Sequence, residues 1–427
     1  MLNVFGRTRH SRTTARHLLL YYEEANPVSD RRRRIGILTS GGDCPGLNAV
    51  IRGSVKSAMN LGYEVLGFLR GFEGLIDPVS TLPLDLANTF GILNQGGTIL
   101  GSTNKGRFST KVGLDERRRL DPQLLCDVQT TLDRLEIDGL ICVGGDGSLT
   151  IAQEMYECGM PIVGVPKTID NDLRCTAFSF GFDSAVACAA DALDRLHTTA
   201  ASHERVMVLE VMGRHTGWIA LHAGIAGGGD VILIPEIDWT YENVCAKIVQ
   251  RRQMGKGFTL VVVAEGAHPP GGGVITLEGI ANDRQVRLGG IGQLVADEIQ
   301  KRLGVETRCV VLGHLQRGGS PTFFDRMLAT QYGVHAVRLI EEGRFGEMVC
   351  YQPPEISSIP ISEAVKRIST VEPQGSAVVA ARGLGVSFGD TAQFVNPFSK
   401  SRVRATTFAE RYNATQEQWA IMESDYE

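Results

Sequence analysis

Short apolar runs that stop at glycine or charge, each followed by a helical pattern, recur along this chain. That alternation constrains the fold more than any other feature. Residues 35–39 (Ile-Gly-Ile-Leu-Thr) run into Ser40-Gly41-Gly42-Asp43-Cys44-Pro45-Gly46 and then a helical stretch over 47–61. Residues 139–143 run into Gly144-Gly145-Asp146-Gly147-Ser148, followed by a helix pattern with Leu149, Ala152 and Met155 on one face. Residues 162–165 run into Pro166-Lys167-Thr168-Ile169-Asp170-Asn171-Asp172. Further apolar runs over 64–69, 205–211, 231–234, 258–264 and 309–312 alternate with helix patterns over 182–203, 288–303 and 323–342. Such alternation predicts an α/β fold with largely parallel sheets covered on both faces.

Open α/β sheets carry their chemistry outside the carboxyl ends of the strands. The 166–172 stretch stands at such an end. Lys167 can hold a phosphoryl oxygen, and Asp170 and Asp172 can take a proton or help hold Mg²⁺. Taken alone, a polar loop with Asp caps explains those residues equally well. The 144–148 turn adds weight, because a strand, a glycine turn and a helix N-terminus form a phosphate-binding layout. Asp146 can reach a phosphate-bound Mg²⁺, although tight turns also favour Gly and Asp. Gly41 and Gly42 open a second turn of this kind. The Walker A pattern is absent. Lys105 and Arg107, in the glycine-rich loop 101–107, can reach phosphate; a solvated loop is the plainer reading.

A chain of 427 residues suggests two domains, or three at most, and 43% hydrophobic content supplies a large core. A net charge of −5 gives no support for nucleic-acid binding. The nine cysteines are scattered with no CxxC pair. They read as reduced, buried thiols of a cytosolic protein, not as zinc ligands. No apolar run reaches the roughly 18 residues of a membrane helix. Residues 1–33 are basic and read as a disordered or regulatory tail, with a transit peptide as the alternative.

Five motifs in order, TSGGDCPGLNAVIRG, GGDGS, PKTIDND, EVMGR and LGHLQRGGSP, resemble those of the 6-phosphofructokinase family. The resemblance covers residues 34–342. It implies two stacked Rossmann-like three-layer α/β/α domains with the active site in the cleft between them. The expected division is 34–181 plus about 316–366 for the phosphoryl donor and 182–315 plus about 367–400 for fructose 6-phosphate. Residues 401–427 would form an extension. The implied reaction is phosphorylation of the 1-hydroxyl of fructose 6-phosphate, with Asp170 as general base and Lys167, Thr168 and Arg214 beside it. Gly41, Phe72, Asn104, Lys105, Arg107, Gly145, Asp146, Gly147 and Ser148 would face ATP. Thr168, Asp170, Asp172, Met212, Gly213, Arg214, Glu265, His314 and Arg317 would hold the sugar phosphate. Arg205 and Arg308 would join them from a neighbouring subunit, so the resemblance implies a homo-oligomer, dimer or tetramer. The implied cofactor is Mg²⁺, on Asp146 and Asp172.

The family divides between ATP and diphosphate as donor. Diphosphate users carry Asp after GGD and Lys before TID; this chain has Gly147 and Lys167. An Asp at 147 would crowd and repel the α-phosphate of a nucleotide, so Gly147 favours ATP, with diphosphate as the alternative. Family members that use ATP often have Tyr at Phe72, beside adenine, and Arg at Asn104, bridging the substrates. Lys105 or Arg107 is expected to supply that charge here. A non-catalytic sugar-phosphate-binding homologue would have lost Asp170 or Asp146, and both are present.

Overall fold

The computed structural model describes residues 33–103, 106–108, 111–112, 116–117, 119–268 and 289–391. Its strands in chain order are β1 (Arg34–Thr39), β2 (Glu64–Phe68), β3 (Thr81–Leu84), β4 (Lys111–Val112), β5 (Glu116–Arg117), β6 (Gly139–Gly144) and β7 (Ile162–Thr168). There follow β8 (Phe180–Gly181), β9 (Val206–Val211), β10 (Val231–Leu233), β11 (Thr259–Ala264), β12 (Thr307–Val311), β13 (Glu347–Gln352) and β14 (Glu355–Pro360).

They build two main sheets. The larger has the order β14-β13-β7-β6-β1-β2-β3, with β8 paired to the end of β7. It is parallel from β13 to β2 and antiparallel at both edges, β2–β3 and β13–β14. The smaller, β10-β11-β9-β12, is parallel throughout. The sequence expectation of α/β layers with largely parallel sheets is met. β7 runs further than its apolar segment predicted: Pro166, Lys167 and Thr168 are strand, not loop.

The apolar runs form strands because both sheet faces are covered, so neither alternate set of side chains meets water. On β6, Ile141 and Val143 enter one core, and Leu140 and Cys142 enter another. On β11, Leu260, Val262 and Ala264 join the first of those cores, and Val261 and Val263 a third. One apolar cluster therefore touches both sheets and runs between them. The long helix Phe182–His203 contributes Phe182, Ala185, Ala189 and Leu193 to it. The nine cysteines are all unpaired; Cys142 and Cys44 are buried as expected, but Cys126, Cys158 and Cys175 are exposed. Among the described residues no helix is long and apolar enough to cross a membrane.

Two helices set the functional loops. The helix Leu47–Asn60 begins immediately after the Gly41–Gly46 turn, and the helix Phe323–Glu341 shortly after the 313–321 segment. They cross where Gly53 and Gly333 remove side chains. A Cβ on Gly53 would lie 2.7 Å from Thr330 O, and one on Gly333 2.5 Å from Val50 O. The backbones meet there because nothing else fits.

Candidate active site

The carboxyl ends of β1, β6 and β7 lie side by side, and each delivers one polar turn. Ser40 N donates to Val143 O at 2.9 Å, tying the first turn to the second strand. Gly41 holds φ +82°, and a Cβ there would lie 3.3 Å from Ser148 Oγ and 3.5 Å from Lys167 Nζ. The first glycine turn, the second glycine turn and the lysine are thus neighbours. Asp146 stands in the first turn of the helix Asp146–Glu157, with Gly145 at its N-cap. Three backbone approaches meet here, as a phosphate cradle requires.

Lys167 is 4% exposed, and its ammonium donates to Gly42 O. Burial lowers its pKa, while Cys44, Asp43 and Asp172 oppose that and Arg317 adds to it. Asp172 is raised to about 7, first by burial, then by the charges of Asp170 and Asp146. Three carboxylates therefore act on one spot beside one lysine. Asp172 Oδ1 is buried without a hydrogen-bond partner among the described residues. The 168–172 loop is pinned by its own chain. Asp170 N donates to Thr168 Oγ1, Ser179 N to Asn171 Oδ1 and Ser179 Oγ to Thr168 O. Asn171 sits at φ 49°, a left-handed conformation that Asn tolerates.

The second sheet supplies the opposite wall. Thr216 Oγ1 donates to Asp170 O at 3.1 Å across the gap. Gly213, at φ +141°, and Gly266 let the loops after β9 and β11 touch; a Cβ on Gly266 would meet Arg214 O. Burial raises the pKa of Glu265, with Glu210 adding and Arg214 and Arg317 opposing, so these four share one neighbourhood. Met212 is half-buried on the core beside them. Arg317 Nη1 donates to Asp43 O at 3.0 Å. A cavity of about 510 Å³ lies between the walls, lined by Gly41, Gly42, Asp43, Thr98, Ser102, Thr103, His314 and Arg317.

Several expected residues lie elsewhere. Phe72 is only 2% exposed and packs on Phe108 with ring centroids 5.4 Å apart. A ring so covered presents no open face to a ligand in this structure. Arg107 is tied to Glu73, through its backbone N at 2.6 Å and its Nε at 3.4 Å, and does not reach for phosphate. Asn104 and Lys105 lie outside the described residues, as do residues 1–32 and 392–427. Arg205 and Arg308 both pair with Glu306, at 3.5 and 2.9 Å. They stand at the amino end of β9 and β12, whereas Met212–Arg214 follow the carboxyl end. Six strand residues separate the two ends, about 20 Å, so neither arginine reaches this chain's own site.

The sequence reading missed Asn171, Ser179, Thr98, Ser102 and Thr103. It also missed Glu210, a buried carboxylate that accepts from Gly290 N and Gly292 N at the start of the helix Ile291–Leu303. A glutamate inside an apolar strand run was the available signal. Among the described residues no group of three metal-ligating side chains is assembled. The pair Asp146 and Asp172 still suits Mg²⁺, which takes one or two carboxylates and completes its shell with water and substrate phosphates. The orphaned Asp172 Oδ1 and the mutual repulsion of the acids are what such a cation would relieve.

A family model described as Phosphofructokinase matches residues 34–340. An ATP-dependent 6-phosphofructokinase of Chloroflexus aurantiacus is 51% identical over 363 residues, 85% of this chain and 99% of that one. A pyrophosphate–fructose 6-phosphate 1-phosphotransferase of Streptomyces coelicolor is 48% identical over 343 residues, 80% and 96% of the two chains. Among solved structures, phosphofructokinase from Saccharomyces cerevisiae is similar with a TM-score of 0.67 and 30% identity. That match covers 78% of this chain and 45% of the yeast chain.

Proposed function

This chain belongs to the phosphofructokinase family, and from that premise we propose that it transfers the terminal phosphoryl group of ATP to fructose 6-phosphate. The products are fructose 1,6-bisphosphate and ADP. The sugar O1 attacks the γ-phosphorus, the bond from that phosphorus to the ADP oxygen breaks, and the O1 proton passes to the Asp170 carboxylate. An ordinary Asp is a weak base, and it suffices when the proton moves late, as the new P–O bond forms. Phosphoryl transfer asks the protein for placement and for positive charge around the moving oxygens. Lys167 and Arg214 supply that charge, and the amides of the Gly41–Gly42 and Gly145–Ser148 turns orient the donor. Asp146 and Asp172 would hold a Mg²⁺, which would neutralise charge on the donor phosphates when bound. Thr168 positions the Asp170 backbone. Glu265, His314 and Arg317 hold the sugar phosphate with Gly213 and Met212.

The observation that carries this reading is the convergence of Asp146, Asp170 and Asp172 beside buried Lys167 at the lip of the glycine turns. Gly147 supports ATP, because it leaves open the space that a carboxylate would close to the α-phosphate. The ATP-dependent relative at 51% identity supports it too. Lys167 and the pyrophosphate-dependent relative keep diphosphate as the second reading. Residues 34–181 with about 316–366 hold the donor, and 182–315 with about 367–400 the sugar phosphate. The enzyme is a cytoplasmic homo-oligomer in which Arg205 and Arg308 serve a neighbour's site. Exposed Val310, Val311 and Leu315, on and just after edge strand β12, fit a covered face.

The test is a coupled assay with fructose 6-phosphate and Mg²⁺, offering ATP and diphosphate separately. Turnover with ATP well above that with diphosphate is expected. The reverse ratio would transfer the assignment to diphosphate, and no turnover with either would refute both.

A further inference from the structure

Burial of Phe72 leaves the nucleoside end of the donor without the aromatic wall expected for it, and two residues upstream stands a side chain with the opposite character. Arg70 is exposed, and among the described residues its guanidinium has neither a hydrogen-bond nor an ion-pair partner. Its backbone is left-handed, at φ 58° and ψ 39°. A non-glycine residue held there is strained, and such strain collects where function requires it. Among the described residues, five other than glycine have positive φ. Glu204 and Glu136 close helices, where that conformation is usual, and Asn171 tolerates it. Arg70 and Cys175 have no such excuse.

Its setting points at the cavity. Arg70 N donates to Leu100 O at 2.8 Å. Its side-chain stem lies over Gly101, where an added Cβ would be 3.8 Å from Arg70 Cγ. The next residues, Ser102 and Thr103, line the cavity and grip the first glycine turn: Ser102 Oγ donates to Gly41 O at 2.6 Å, and Gly41 N to Thr103 O at 3.2 Å. On the other side, Gly71 presses on Thr39 O and Ser40. The left-handed turn therefore carries an exposed guanidinium, unpaired among the described residues, on a stem beside Gly101, next to the Ser102 and Thr103 that line the cavity. A guanidinium is planar and stacks flat on aromatic faces, whereas an ammonium offers only a compact point charge.

We propose that Arg70 packs against the purine nucleoside of the donor and so sets the preference for a nucleotide over an inorganic polyphosphate. The inference rests on the ATP reading above. Isothermal titration of MgATP, magnesium tripolyphosphate and fructose 6-phosphate into wild-type protein and the Arg70→Ala, Arg70→Lys and Arg70→Gly variants tests it. Arg70→Ala and Arg70→Lys should each weaken MgATP about tenfold, with tripolyphosphate and fructose 6-phosphate binding unchanged. Arg70→Gly should weaken MgATP equally while its melting temperature stays at or above that of the wild type. Equal losses for MgATP and tripolyphosphate would assign Arg70 to the phosphates and overturn the proposal, as would full rescue by lysine or undiminished MgATP binding. A parallel loss of fructose 6-phosphate binding would mark a structural residue instead. If the wild type binds no MgATP, the donor reading falls first and this inference with it; if it binds MgATP and the variants bind it equally, only the inference falls.

Discussion

Lys167 and Asp170 are three residues apart, one ending a strand and the other in the loop beyond it. The lysine is held by a backbone carbonyl on the donor side, the aspartate by its own loop. That division makes a clear expectation for Asp170→Ala. The rate constant of turnover should fall by about 10²- to 10⁴-fold, with fructose 6-phosphate affinity nearly kept. Steady-state kinetics beside equilibrium binding of the sugar phosphate checks it, and an unchanged rate would remove Asp170 from its role as base. Asp325 shows a carboxylate doing something else. It is fully buried, and its Oδ2 accepts from Ser184 N and Ser184 Oγ at 2.8 and 2.6 Å at the start of the helix Phe182–His203. Burial pushes its pKa up to about 6, against the ordinary 3.8, while the Ser184 bonds hold it down. A carboxyl raised on folding contributes stability that is full below its unfolded pKa and lost as pH rises through its folded one. Between about pH 4 and 6 the protein should therefore lose on the order of 3 kcal/mol from this group. Asp325→Asn should flatten that part of the profile, which denaturation midpoints across the range would reveal. Residues of this kind were hidden in the sequence. An aspartate in FFDR reads as a helix-start acid, and only the packing shows that it serves a second helix. Asp146, Asp170 and Lys167 were legible because glycine turns after apolar strands announce themselves. The burial of Phe72 was not legible, because a sequence does not reveal which way a short turn faces.

Strands β1, β6 and β7 were readable because burial on both faces makes them continuous apolar runs. The edges were not. β3 contains Pro83 and β14 ends at Pro360; both are antiparallel and partly exposed, so neither the apolar run nor the alternation is clear. The helix Trp218–Ala226 is apolar on nearly every side and carries no periodic stripe. At this scale the crossing of Leu47–Asn60 with Phe323–Glu341 has the most direct functional reach, since both helices begin beside the cavity. Gly333→Ala would drive a methyl to 2.5 Å from Val50 O and 2.9 Å from Ser54 N, both backbone atoms that cannot swing away. The expected cost is about 1–3 kcal/mol. As the helices part, the Gly41–Asp43 and His314–Arg317 walls should part with them. Calorimetry should show the lower melting temperature, and kinetics a higher KM for both substrates. A drop in stability with both KM values intact would mean the loops are held in place by something other than this crossing.

Among the described residues, one edge of the smaller sheet, strand β12, is uncovered. Val311 is 54% exposed, Val310 and Leu315 are also exposed, and Arg205 and Arg308 end nearby on Glu306 instead of in this chain's own cavity. Val311→Glu should shift the oligomer toward smaller species in light scattering. On the proposal that Arg205 and Arg308 serve a neighbour's sugar site, it should raise KM for fructose 6-phosphate more than KM for ATP. An unaltered mass with unaltered KM would place the assembly contact elsewhere. The apolar cluster that touches both sheets has a further consequence. Two lobes joined by a bare linker could swing apart like a door, but here swinging would flood Ile141, Leu209 and Val262 with water at the cost of their packing. A lateral slide of one layer over the other, by small side-chain readjustments, would keep that cluster out of water.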